Sequence, residues 1–131
     1  MGPILPGARK VNAVSGMIFR AALSTARAAR DIVGDSTSAP SEIGDGAFFL
    51  SDDGLSGYGV TTDGTLVGVF SLARGRGDAI VSDAISHGAT HLDCFDGYLV
   101  GLYARHGFVV TAREPNWTAG APDVVYMSLV A

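Results

Sequence analysis

The sequence predicts an α/β (α+β) fold in which a central mixed, mostly antiparallel sheet is flanked by helices. Three observations predict it. In mid-chain, strand-like runs are split by Asp53-Gly54 and Asp63-Gly64, pairs that favour tight hairpin turns. Beyond them, helix-patterned and strand-patterned stretches alternate. The chain itself, 131 residues with 47% hydrophobic and 17% charged side chains, has the size and composition of one ordinary core. We expect an extended N-terminal segment over 1–15 and a single domain over 16–131.

Residues 1–14 hold Gly2, Pro3, Pro6 and Gly7 and read as extended or irregular chain. The stretch 16–33 turns helical, with Phe19, Leu23 and Ala26 on one stripe and Arg20 and Arg27 on another; Ser15 is placed to cap it and Gly34 to stop it. GDSTSAPSEIGDG, residues 34–46, reads as a polar loop. AFFLS (47–51), GYGVTT (57–62) and TLVGVFSL (65–72) then form an antiparallel meander. A helix follows over 77–87, its apolar face made by Ile80, Val81, Ala84 and Ile85, with Gly88 at its end. HLDCF (91–95) is a short strand. Asp96 is placed to cap a helix over 98–106 that Gly107 closes, and FVVTAR (108–113) and DVVYMSLV (123–130) complete the sheet.

Charge is distributed unevenly. Arg9, Lys10, Arg20, Arg27 and Arg30 all precede the first acid, Asp31, whereas the remainder holds all 13 acids against four arginines. A solvated helix face is the commoner fate of such a run. The sharper reading is that the basic helix over 16–33 docks on an acidic protein partner. The acidic remainder opposes a grip on phosphate backbones, so a nucleic-acid partner is not expected. No apolar run approaches the roughly 20 residues of a membrane span. A lone cysteine, Cys94, offers neither an internal disulfide nor zinc-ligand spacing, and no metal site is expected. Its apolar neighbours make it a small buried hydrophobe rather than a nucleophile.

ARGRGDA, residues 73–79, stands between the last strand of the meander and the next helix. A glycine-rich turn at a helix N-terminus directs several backbone N–H groups outward with partial positive charge, an arrangement suited to phosphate. Arg74 and Arg76 add to that preference. The spacing matches neither a P-loop nor a GxGxxG dinucleotide turn.

Arg74-Gly75-Arg76-Gly77-Asp78-Ala79 fits the pattern Q/R-x-x-G-x-G/A, and LYARHGF (102–108) fits L-Y-x-x-x-G-F further on. On these two motifs, in this order, the chain resembles the GCN5-related N-acetyltransferase (GNAT) superfamily over residues 47–130. DCFDGYL and REPNW also resemble small acetyltransferase-like proteins of tailed phages. The resemblance implies a GNAT-like fold that transfers an acetyl group from acetyl-CoA to the amine of an unidentified acceptor, a protein among the candidates. It implies that Arg74, Gly75, Arg76, Gly77, Asp78 and Ala79 cradle the pyrophosphate. It also implies a splayed strand pair that admits the pantetheine arm beside Val69, Phe70 and Ser71, and a phenol at Tyr103 that protonates the departing thiolate. Such a protein works in the bacterial cytoplasm or, for a phage component, in the virion.

Acyl transfer also needs a group to take the amine's proton. Many family members carry a glutamate on the strand that is TLVGVFSL here, and this strand has no acid. Asp93 and His91, which share one face of the following strand, are the candidates, with Glu114 ranked after them. His87 and His106 sit near helix ends, where terminal carbonyls suffice to explain them. The family's first strand and paired N-terminal helices are expected to be reduced to one helix and a polar loop. That leaves two readings: an enzyme with an open acceptor site, or a non-catalytic protein of the same fold that docks through its basic helix.

Overall fold

The computed structural model describes residues 4–5, 9–30, 37 and 40–130. Strands β1 (Ile4–Leu5), β2 (Arg9–Val14), β3 (Gly46–Ser51), β4 (Ser56–Thr61) and β5 (Leu66–Ser71) pair in that order, each antiparallel to the next. The meander expected from the Asp-Gly turns is thus present. In both turns the aspartate closes the bend, Asp53 Oδ1 accepting from the Leu55 amide at 3.1 Å and Asp63 Oδ1 from the Thr65 amide at 3.3 Å.

The N-terminal region, expected as extended or irregular chain, is extended over Arg9–Val14 and joins the sheet. Residues 9–14 form β2, with Val11 opposite Ser51 and Val14 opposite Phe48, so the front of the fold has its strand and is not reduced to a helix and a loop. Its side chains from Lys10 to Val14 are exposed or half-buried. Such a strand has little apolar alternation to reveal it, and backbone pairing with β3 holds it in place.

Helix α1 (Gly16–Ala29) begins where expected, Ser15 Oγ accepting from the Ile18 amide at 3.2 Å. It ends sooner than the expected span to residue 33: Arg30 is its C-cap and is already extended, with φ −142 and ψ 123, so the helical turn is not continued. The expected stop at Gly34 lies outside the described residues, as do residues 35, 36, 38 and 39 of the following loop. Pro40–Glu42 in that loop makes a 3₁₀ turn. Phe19, Leu23 and Ala26 are buried and pack with Ile43 on Phe48, Leu50 and Phe70, one face of the sheet. On the other face lies the larger core, where Ile80, Val81 and Ala84 of α2 (Gly77–Ser86) and Leu102 and Tyr103 of α3 (Tyr98–Ala104) meet Phe49, Tyr58 and Leu66.

Strands β6 (His91–Phe95), β7 (Phe108–Glu114) and β8 (Val124–Leu129) form a second antiparallel sheet in the order β6-β8-β7. Leu92, Val125 and Met127 face the larger core. Asp96 does not cap α3 with its side chain: the cap residue is Gly97, while the Asp96 carboxylate accepts from Arg113 at 2.9 Å. The register explains this, because the end of β6 runs alongside β7 across β8 and brings the guanidinium within reach.

Candidate functional site

The two sheets touch through one parallel bridge, Thr65 to His91, and no further pairing joins β5 to β6 among the described residues. A bulge widens the divergence. The pairs Gly57–Phe70 and Gly59–Val67 leave Tyr58 opposite both Gly68 and Val69, one residue too many on β5. Gly68 takes φ +60, and a Cβ there would stand 3.1 Å from the Phe19 ring, so glycine is needed for both the bend and the packing. Between the diverging strands runs a groove of about 1230 Å³. Its walls are Val69, Phe70 and Ser71 on β5, Asp93, Cys94 and Phe95 on β6, and Leu99, Leu102 and Tyr103 on α3. Facing edges of β5 and β6 carry backbone groups that no other strand among the described residues satisfies.

Residues 73–77 close one end of the groove. Ser71 Oγ starts the turn, donating to the Ala73 carbonyl at 2.6 Å and accepting from the Ala73 amide at 3.2 Å. Gly75 has φ +77, a conformation that side chains disfavour. Arg76 precedes α2 with no side-chain cap, which leaves the amides of the first helical turn for another acceptor. Arg74 is exposed and has no ion-pair partner among the described residues.

Three members of the expected cradle point elsewhere. The Arg76 guanidinium turns inward, to Asp53 at 2.7 Å and Ser56 Oγ at 2.8 Å, and its hydrogen bond holds the Asp53 carboxyl well below the usual carboxylate range against the opposing effect of burial. Asp78 faces α3, where it meets His106 at 2.8 Å and Arg105 at 3.2 Å. Ala79 packs against the larger core. Gly77 does line the groove, and a Cβ there would meet Leu102 at 3.2 Å, so its smallness also serves helix packing.

Tyr103 is 4% exposed and lies edge-on to Phe108 at 5.9 Å. Its hydroxyl makes no hydrogen bond among the described residues, and the side chain lines the groove. Burial, then the charges of Cys94 and Asp93, raise its pKa, so the phenol keeps its proton at neutral pH. The Cys94 thiol is pushed up to about 11, mainly by burial, which agrees with an unreactive apolar role. Asp93 is exposed on the groove wall. His91 is not in the groove. It bonds Thr65 Oγ1 at 2.7 Å and Thr90 Oγ1 at 3.0 Å beside the bridge, at the closed end of the divergence.

No family model matches the chain, and no curated protein matches it. Solved structures do. A Bacillus subtilis acetyltransferase in complex with CoA superimposes with a TM-score of 0.61 at 17% identity, covering 94% of this chain and 99% of that one. A Lactobacillus plantarum protein, provisionally named an N-acetyltransferase, gives 0.57 at 21% identity with the same coverage, 94% and 99%. The chain has the acetyltransferase fold. At these identities the fold is what is shared, and it is the fold implied by the two motifs.

On the acetyltransferase fold the structure brings together Val69, Phe70, Ser71, Arg74, Gly75, Gly77, Asp93 and Tyr103, and sets His91, Asp78 and Ala79 apart. It adds Glu114, Trp117 and Tyr126 to the groove lining. Only register across β8 reveals Tyr126, which pairs with Asp93 on one side and Ala112 on the other.

Proposed function

We propose that the protein is an acyl-CoA-dependent N-acetyltransferase acting on an amine acceptor. The observation that carries this reading is the divergence of β5 and β6 after one bridge, with a glycine-rich helix start at one end of the resulting groove and, in its wall, the buried Tyr103 phenol without a hydrogen bond among the described residues. The residues fit acetyl-CoA as co-substrate. Uncapped amides of α2 and the Arg74 side chain suit the pyrophosphate. The strand edges suit the amides of the pantetheine arm, which can add hydrogen bonds where each strand has none.

Asp93 takes the proton that the acceptor ammonium must lose, and the neutral nitrogen forms the new bond to the acetyl carbon as the carbon–sulfur bond breaks. Tyr103 gives its hydroxyl proton to the departing sulfur, and the second proton that the nitrogen sheds as the amide forms restores the phenol. Burial makes Tyr103 a reluctant acid but keeps the proton in place until thiolate charge develops beside it. Such a reaction draws on the acetyl-CoA pool of the cytoplasm.

Thermal unfolding with and without acetyl-CoA tests the reading, since a ligand that binds only the folded state raises its stability. We expect an upward shift, together with amine-dependent release of free thiol. A chain that shows no shift with acetyl-CoA or CoA is instead a non-catalytic protein on this fold.

A further inference from the structure

The sheet β6-β8-β7 turns one face to the larger core and the other to the groove. On the groove face, register sets Asp93 beside Tyr126, and Tyr126 beside Ala112. Two residues along from Ala112, on the same face, Glu114 accepts a hydrogen bond from the Tyr126 hydroxyl at 3.2 Å. Phe95 shares the face, and Trp117, 83% exposed, leans over it with 6.2 Å between ring centroids. Asp93, Phe95, Glu114, Trp117 and Tyr126 all line the groove.

Neither Asp93 nor Glu114 has an ion-pair partner among the described residues, whereas neighbouring Asp96 is neutralised by Arg113 at 2.9 Å. Glu42 adds a carboxylate from the 3₁₀ turn. A second, independent observation points to a ligand here: Tyr103, 4% exposed, lines the same groove, and its hydroxyl makes no hydrogen bond among the described residues. Arg27 and Arg30 stand on the α1 flank, but an Arg27 nitrogen is held by Thr37. Neither arginine is among the charges acting on Tyr103, while Asp93 is. A group approaching the phenol therefore meets carboxylates and aromatic faces, both of which attract an ammonium.

We propose that the groove selects an acceptor with two amine groups, an aliphatic diamine or polyamine, whose reacting nitrogen lies at Asp93 and Tyr103 and whose second nitrogen lies at Glu114 between Tyr126 and Trp117. The reacting nitrogen gives its proton to Asp93; the distant one stays an ammonium. Asp93 and Glu114 stand two strand spacings apart, roughly 10 Å, and offset by about 7 Å along the strand, so several methylenes must separate the nitrogens. The catalytic half of this inference rests on the acetyltransferase reading, and the recognition half is measurable without it.

Calorimetry on the whole chain with hexamethylenediamine, hexylamine and aminohexanoate compares a second ammonium, no second charge and a carboxylate. The diamine is expected to bind about fivefold tighter than hexylamine or better, with aminohexanoate weakest and the preference shrinking in added salt. In Glu114→Gln, an exposed position that does not threaten folding, the ratio of diamine to hexylamine affinity is expected to fall toward one. Equal binding of diamine and hexylamine overturns the proposal, as does tighter aminohexanoate or a ratio untouched by Glu114→Gln. Acetyl-CoA is titrated into the same samples. Diamine preference without acetyl-CoA binding supports the recognition site and sinks the acetyltransferase reading, whereas acetyl-CoA binding without diamine preference does the reverse.

Discussion

Arg76 reaches beneath its own loop to Asp53, 2.7 Å away in the turn between β3 and β4, with only 6% of the arginine side chain and 14% of the aspartate side chain exposed. The pair ties the start of α2 to the meander and turns the backbone, rather than the guanidinium, toward the groove. Ser56 Oγ accepts a further bond at 2.8 Å, which leaves the guanidinium little freedom to swing out.

Asp53→Asn is expected to destabilise the protein by about 3 kcal/mol, the usual cost of breaking one side of a buried pair. Folded Asp53 holds its proton more weakly than the unfolded chain does. Its contribution is therefore complete above the ordinary carboxylate pKa of about 3.9 and is lost as the pH falls through the depressed value. Urea unfolding of both proteins at neutral pH and in acid checks this: the gap should persist at pH 7 and narrow below about pH 4.

The two loop arginines are expected to separate in their effects. Arg74→Gln should leave the unfolding midpoint unchanged and weaken acetyl-CoA binding about three- to tenfold, because its charge is exposed at the groove end. Arg76→Gln should lower stability first. Calorimetry and thermal unfolding on the pair would expose an error in this assignment if Arg74→Gln bound as tightly as the parent.

Tyr103→Phe keeps the ring against Phe108 and removes a hydroxyl that makes no hydrogen bond among the described residues. Stability and cofactor affinity should stay level while turnover falls on the order of a hundredfold or more. Unchanged turnover would leave Tyr103 as a core residue.

Polar burial away from the groove gives a contrasting case. Tyr58, 1% exposed, donates to Asp83 Oδ2 at 2.5 Å, and Asp83 Oδ1 has no hydrogen bond in its buried site. Tyr58→Phe leaves a buried carboxylate short of its closest donor and should cost about 1–3 kcal/mol. His87 Nδ1 stands 2.9 Å from the same phenol, so a smaller loss would mean that the imidazole takes over as donor. Urea unfolding of the variant beside the parent measures which loss occurs.

Much of this architecture is legible because it depends on local signals. Asp53-Gly54 and Asp63-Gly64 mark the meander, while the period of Ile80, Val81 and Ala84 marks α2. Strand β2 is not legible, since it buries little and exists through pairing with β3. Nor can a loop pattern show which arginine faces inward. Arg76 is decided by an aspartate 23 residues earlier, and His91 falls outside the groove because it sits at the bridge where the strands still touch. Alternation placed His91 and Asp93 on one face correctly, but distance along the divergence separates them.

The basic helix is expected to behave as part of the fold at two of its three arginines. Arg20 lies over the Phe48 ring at 5.3 Å and donates to the Ile43 carbonyl at 3.2 Å; Arg27 bonds both the carbonyl and the hydroxyl of Thr37. These contacts fasten α1 to the segment that follows it, so Arg20→Gln and Arg27→Gln should each lower stability by about 1 kcal/mol. Arg30 is exposed and its replacement should leave the unfolding midpoint unmoved. If α1 nevertheless docks on an acidic protein, Arg30→Gln alone should weaken that complex and added salt should weaken it further. A partner that binds the Arg30→Gln protein normally but loses the destabilised variants is responding to the fold of α1 rather than to its charge.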